Sequence, residues 1–307
     1  MEQSWGGVQT VIDWYLVHQR DLPWRAPERT AWGVLVSEVM LQQTPVARVV
    51  PAWQAWMARW PEPAALARDA PGEAVRQWDR LGYPRRALNL HAAAVAIADR
   101  HAGQVPSAEV DLRALPGVGE YTAAAVRAFA FGRRAVVLDT NVRRVLGRAL
   151  AGAEHPAPRL GAAERARADS ITPNADAPAA LWSVAVMELG ALICTARNPR
   201  CPACPVQDSC AWLRAGRPAY SGPARRVQRF AGTDRQVRGR LLAVVRSAPG
   251  AVPRGALDVV WSDEIQRERA LDALVADGLL VALADDLFRL PTGLEARTER
   301  DREGRGA

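Results

Sequence analysis

From about residue 8 to residue 215, apolar side chains recur at i, i+3, i+4 and i+7 within alanine-rich segments, and alternating β-branched stretches are nearly absent. This pattern predicts an all-α protein. Pro51, Pro61, Pro63, Pro71, Gly82, Pro106 and Pro116 punctuate it, which predicts helices of ordinary length with short connections. No repeat of fixed period runs through the chain. Residues 217–233, within GRPAYSGPARRVQRFAGT, are rich in Pro, Gly and Arg and read as a basic linker. Beyond it, RQVRGRLLAVVRSA and SDEIQRERALDALVADGLL are helical in period, and VALADDLFRL reads as a two-stranded wing. Residues 234–292 are therefore expected to form a small winged-helix-like unit, whose functional use is a DNA contact and whose plainer use is packing. The tail 293–307, including EARTERDREGRGA, is charged on nearly every second residue and reads as disordered.

Composition narrows the class. With 307 residues, 49% of them apolar, the chain is long enough to bury a full core in two or three packed units. The start, Met-Glu-Gln-Ser-Trp-Gly, lacks a basic stretch followed by an apolar one. The longest apolar run, LWSVAVMELGALIC, is interrupted by Glu188. Neither secretion nor a membrane span is expected; a cytoplasmic, nucleoid-associated protein is. The formal charge is +7 and every one of the 40 basic residues is arginine. A GC-rich genome accounts for arginine over lysine; the cationic surface also suits phosphates, which guanidinium forks grip in pairs. Either way, no lysine side chain is present to form a Schiff base.

Two motifs carry chemistry. LPGVGEYTAAAV, residues 115–126, sets two glycines before a helix start, where backbone N–H groups and the positive dipole end are open to close approach. This is the hairpin of a helix-hairpin-helix motif, which grips a nucleic-acid backbone without reading sequence, so Gly117, Val118 and Gly119 are the candidate backbone-binding residues. The four cysteines Cys194, Cys201, Cys204 and Cys210 are the whole supply and stand as C-x6-C-x2-C-x5-C. Such clustering points to a metal centre, zinc or [4Fe–4S], and spacing alone leaves both open. None of His18, His91, His101 and His155 forms a metal-binding spacing.

These motifs together with SEVMLQQT, WDRLGYPRRALNLHAAA and LDTNVRRVL, in unbroken order over residues 10–215, resemble the endonuclease III superfamily and within it the adenine DNA glycosylases. The resemblance implies the helix-hairpin-helix glycosylase fold: a helical barrel domain over 26–135 and a cluster domain from 1–25 and 136–216. It implies an active site between them, with Glu38 and Asp139 facing one another. The cysteines would then hold a [4Fe–4S] cluster. It further implies excision of adenine mispaired with 8-oxoguanine or guanine in double-stranded DNA, by a monomer.

Breaking an N-glycosidic bond calls for a proton on the leaving base and an anion near the oxocarbenium ion. By resemblance Glu38 is the acid and Asp139 the anion. A carboxyl flanked by Val39, Met40 and Leu41 is desolvated, which raises its pKa as a general acid needs. Asn141 corresponds to a residue holding water and sugar near Asp139. Tyr121 stands where the strand-cleaving branch has its lysine, which implies a monofunctional glycosylase with Tyr121 assisting or anchoring the hairpin. Trp24 and Arg25 correspond to the adenine pocket, Gln43 and Tyr83 to the wedge that fills the gap behind a flipped base. Arg143, Arg144 and Arg148 are candidate phosphate contacts, or a solvated helix face. Val184 and Pro84 depart from the family pattern, and the part after Tyr220 is too short for the Nudix-like domain of longer relatives. A glycosylase for another base, such as a mismatched pyrimidine, and a non-catalytic iron–sulfur DNA-binding protein are the alternatives; retention of both carboxylates speaks against the second.

Overall fold

The computed structural model describes residues 5–222 and 230–293. Residues 223–229 of the expected linker, and all but the first residue of the expected tail, 294–307, lie outside them. The chain is overwhelmingly helical, as the apolar periodicity predicts, and divides by its contacts into two units.

The first unit comprises Met1–Leu35, Ser107–Arg113 and Val118–Ala224. Its core joins the helix Gly7–His18, through Val11, Ile12 and Tyr15, to Val142, Val145 and Leu146 of the helix Thr140–Ala151. Trp182, Val186 and Leu189 of the helix Asp176–Leu192 complete it. The helix Glu120–Phe131 ends at Gly132 and the helix Thr140–Ala151 at Gly152, both left-handed, the conformation that closes a helix most cheaply with glycine. Residues 217–222, the start of the expected linker, are docked on this unit. The Trp212 indole donates to the Pro218 carbonyl at 2.9 Å and the Tyr220 amide to Glu154 at 2.7 Å.

The second unit comprises Val36–Pro106, Ala114–Gly117 and Arg225–Ala307. Its helices Pro63–Arg68 and Pro71–Trp78 each open on a proline, whose missing N–H costs nothing there. Pro51 does not break the chain as expected: it lies inside the helix Val46–Arg59. Burial of Val49 and Trp56 on the opposite face outweighs the lost bond. Trp56 meets Trp60 and Trp78 edge to face, with ring centroids 4.7 and 5.7 Å apart.

The C-terminal residues of this unit form the expected winged-helix arrangement. The helix Asp234–Ser247 is followed by β1 (Val252–Pro253), the helices Arg254–Asp258 and Glu264–Ala276, then β2 (Val281–Leu283) and β3 (Leu287–Arg289). The sheet is antiparallel in the order β1-β3-β2, so a two-residue strand adds to the expected hairpin. This part is fixed to the helix Pro71–Trp78 and the residues after it. The Gly72 amide donates to the Pro291 carbonyl at 2.8 Å, Arg76 to the carbonyls of Arg246 and Ala248, and Arg246 pairs with Asp79 at 3.0 Å. A Cβ at Gly72 would lie 2.6 Å from that Pro291 oxygen. Among the described residues no single helix is long and apolar enough to cross a membrane.

Candidate active site and cysteine loop

The first unit carries Trp24, Arg25, Val118, Gly119, Tyr121, Asp139, Asn141 and the four cysteines; the second carries Glu38, Gln43, Tyr83 and Gly117.

In the first unit Asp139 is the N-cap of the helix Thr140–Ala151. Its Oδ1 accepts from the Val142 amide at 2.6 Å and its Oδ2 from Asn141 at 2.8 Å. Burial pushes its pKa up, while these bonds and the charge of Arg144 pull the other way by favouring the anion. Asn141 in turn accepts from Arg144 at 2.8 Å, and Arg144 donates to the carbonyls of Gly190 and Cys194, each at 2.7 Å. Gly190 makes room for this: a Cβ there would come within 2.8 Å of the Asn141 side chain. Tyr121 packs against Ala125, Ala128, Ala135 and Val137. Gly119 precedes the helix Glu120–Phe131 without a side-chain cap, and no atom lies near where its Cβ would be, so the ground before this helix is open.

The arginines of this helix are a correction. Arg144 and Arg148 are buried and Arg143 is bound to Glu164 at 2.7 Å, so they neither meet phosphate nor form a solvated face. Arg148, 1% exposed, instead knits the helix to the cysteine loop. It donates to the Thr195 carbonyl at 2.8 Å and to Cys194 Sγ at 3.4 Å, stacks on Trp212, and accepts at its own carbonyl from Cys210 Sγ at 3.6 Å. Among the described residues no carboxylate pairs with it. None of the four cysteines is in a disulfide. Burial pushes Cys204 up to about 11, against the opposing hydrogen bond from the Val206 amide and with smaller help from the other three sulfurs. Cys194 is also raised by burial, with Arg148 opposing. Among the described residues no three His, Cys, Asp or Glu side chains close on a single-ion site.

Sequence reading missed a third group in this unit. Glu188, fully buried, accepts from Arg20 at 2.6 and 2.8 Å and from Arg25 at 2.9 Å. Burial alone would raise its carboxyl; the two guanidinium groups overcome that and hold it at about 2. The signal was available: an acid inside an otherwise apolar helical run is buried, and a buried carboxylate needs cations. Arg25 Nη1 is left buried with no hydrogen-bond partner among the described residues. Trp24 beside it is buried, and Val184 packs against the core of the unit.

In the second unit Glu38, 5% exposed, sits on the helix Ala31–Leu41 among Ser37, Val39 and Met40, all buried. Gln43 and Tyr83, the expected wedge, both stand exposed on backbone of positive φ, 58° and 48°. For a tyrosine that conformation is strained, and such strain concentrates at working sites. One buried residue holds both turns. Arg86 donates to the carbonyls of Val39 (2.8 Å), Gln42 (2.7 Å) and Gly82 (2.9 Å), with its guanidinium over the rings of Trp78 and Tyr83. Burial lowers its pKa to about 10. Gly117, at φ +77°, lies where a Cβ would strike the Asn89 side chain at 2.7 Å.

Residues 36–167 match the HhH-GPD superfamily of base excision DNA repair proteins, and residues 194–210 match the iron–sulfur binding domain of endonuclease III. An adenine DNA glycosylase of Mycolicibacterium smegmatis is 52% identical over 281 residues, covering 91% of this chain and 94% of that protein. One of Mycobacterium tuberculosis is 50% identical over 285 residues, 92% of each. Among solved structures, a thermostable thymine-DNA glycosylase aligns with a TM-score of 0.61 at 26% identity, over 68% of this chain and 95% of that one. The match over the cysteine loop decides between zinc and iron–sulfur: the cofactor is a [4Fe–4S] cluster.

The donor set fits that cofactor. A buried guanidinium with no carboxylate needs an anion, and four thiolates on a net-negative cluster supply one beside Arg148. Arg148→Met is accordingly expected to weaken cluster retention about 10- to 100-fold, the usual cost of losing a partner of a ligand. Iron and acid-labile sulfide per chain after a chelator challenge measure it; retention equal to the parent protein would show the bond to Cys194 to be idle.

Proposed function

The chain belongs to the adenine DNA glycosylases of the HhH-GPD base excision repair superfamily, and from that membership we propose that it removes adenine paired with 8-oxoguanine or guanine in duplex DNA, leaving an abasic site. Glu38 donates its proton to N7 of the extruded adenine. The C1′–N9 bond then breaks with its electron pair leaving on the base, and Asp139 stabilises the oxocarbenium ion until water, positioned by the Glu38 carboxylate, attacks C1′ and returns a proton to Glu38. The observation that carries this assignment is the setting of Asp139, both of whose oxygens accept hydrogen bonds, which suits an anion; Glu38, 5% exposed, is a buried carboxyl as an acid of raised pKa would be.

The other residues take supporting roles. Asn141 orients Asp139. Trp24 and Arg25 receive the purine, and the unpartnered Nη1 of Arg25 is a donor suited to a base edge. Gln43 and Tyr83 fill the gap behind it. Gly117, Val118 and Gly119 seat the DNA backbone, and Tyr121 flanks the sugar. The chain has no lysine, so the reaction stops at base release without strand cleavage. The protein works as a monomer on nucleoid DNA. One observation favours a second reading, excision of a mismatched pyrimidine: Val184 offers a base edge no hydrogen bond.

Single-turnover assays on duplexes carrying adenine opposite 8-oxoguanine, adenine opposite guanine, and thymine or uracil opposite guanine test both readings. Adenine release from the first two is expected, with no borohydride-trapped covalent adduct; release from the pyrimidine duplexes alone overturns the proposal in favour of the second reading.

A further inference from the structure

The winged-helix part contains a feature that the usual use of such a module does not explain. Its helix Glu264–Ala276 and its hairpin are the elements that would ordinarily enter a groove. Here Arg267 and Arg269 are spent on Asp258 and Asp234, Glu264 and Asp272 are exposed, and the hairpin turns through Asp285 and Asp286. An acidic face of this kind repels phosphate.

The opposite chemistry lies at the start of the helix Asp234–Ser247. Arg235 is exposed, and among the described residues no carboxylate pairs with it. Its guanidinium lies over the ring of Phe230, 5.2 Å from the centroid, and it donates to the Tyr83 hydroxyl at 3.3 Å. Phe230 is 54% exposed and Tyr83 46%, both unusual for large aromatic side chains. The contacts of Gly72, Arg76 and Arg246 fix this part to the helix Pro71–Trp78 and to Asp79 just after it, at the start of the connection that carries Tyr83, so the cluster is held in place before any ligand arrives.

The geometry points to a nucleobase-stacking site made of Phe230, Arg235 and Tyr83, which takes the base that loses its partner when the adenine is extruded. This rests on the reading of Tyr83 as a wedge. Flat aromatic rings and a guanidinium plane stack on any base, and the positive charge suits the neighbouring phosphates. The C-terminal part thereby completes the wedge through its first helix instead of binding through its acidic wing.

The test uses the full-length, cluster-loaded protein and two duplexes. Both carry a non-hydrolysable 2′-fluoro analogue of the nucleotide whose base the parent protein releases; one has guanine opposite, the other an abasic analogue. F230A and R235A are expected to bind the first duplex about tenfold more weakly than the parent, and the second within about twofold. F230W restores parent affinity, and R240A, on the same helix but stacked on Trp261, binds like the parent. Melting temperatures stay unchanged, which separates a ligand site from a packing contact. Equal weakening on both duplexes, no weakening on either, or a fall in melting temperature that accounts for the loss overturns the inference. Which base the parent protein releases is scored separately, so the failure of the adenine assignment and the failure of this site are told apart.

Discussion

Glu38→Gln is expected to abolish measurable adenine release in a single-turnover assay, a fall of about 10²- to 10⁴-fold, while affinity for the mispaired duplex stays within about twofold. The substitution keeps shape and hydrogen-bonding capacity but removes the transferable proton. Loss of rate with binding intact separates a group that acts on the bond from one that holds the duplex. Near-parental release by the variant removes Glu38 from its proposed role.

The second large effect concerns stability. Glu188→Ala strands the guanidinium groups of Arg20 and Arg25 around an empty space, and removing one partner of a buried charge cluster costs about 3–5 kcal/mol. Chemical denaturation of the first unit measures it. The same group predicts acid lability. Its carboxyl is held at about 2 in the folded chain, against 4.5 for a free glutamate. Its contribution is therefore complete above about pH 4.5 and drains away as pH falls toward 2, where the folded protein is at last protonated too. Glu188→Gln should flatten stability across that window. A variant as stable as the parent, with an unchanged acid transition, would show the three charges to be mutually neutral in effect.

Much of the site was legible because its cues are local. The flanks of Glu38 announced its burial, the four cysteines declared a shared cofactor, and the glycines at 117 and 119 marked an open helix start. What escaped was decided by distance along the chain. Glu188 meets Arg20 and Arg25 across 168 and 163 residues, and no periodicity shows which cations will face a lone acid. Arg144 and Arg148 were misread because helical spacing says that residues share a face, not which face turns inward. Arg86 was overlooked for the same reason: its acceptors are backbone carbonyls, and carbonyls leave no trace in a sequence. β1 was missed because two residues are too few to display a period.

The close approach at Gly72 bears on how such a chain is dissected. Cutting away the residues after the cysteine loop to isolate a minimal catalytic fragment removes the acceptor for the Gly72 amide and both acceptors of Arg76, and leaves Asp79 without Arg246. A fragment of that kind carries a wound in the helix and connection that lead to Tyr83. Weak activity in it would report that injury as much as any missing DNA contact, so point substitutions, not deletions, are the instrument for assigning a role to the C-terminal part.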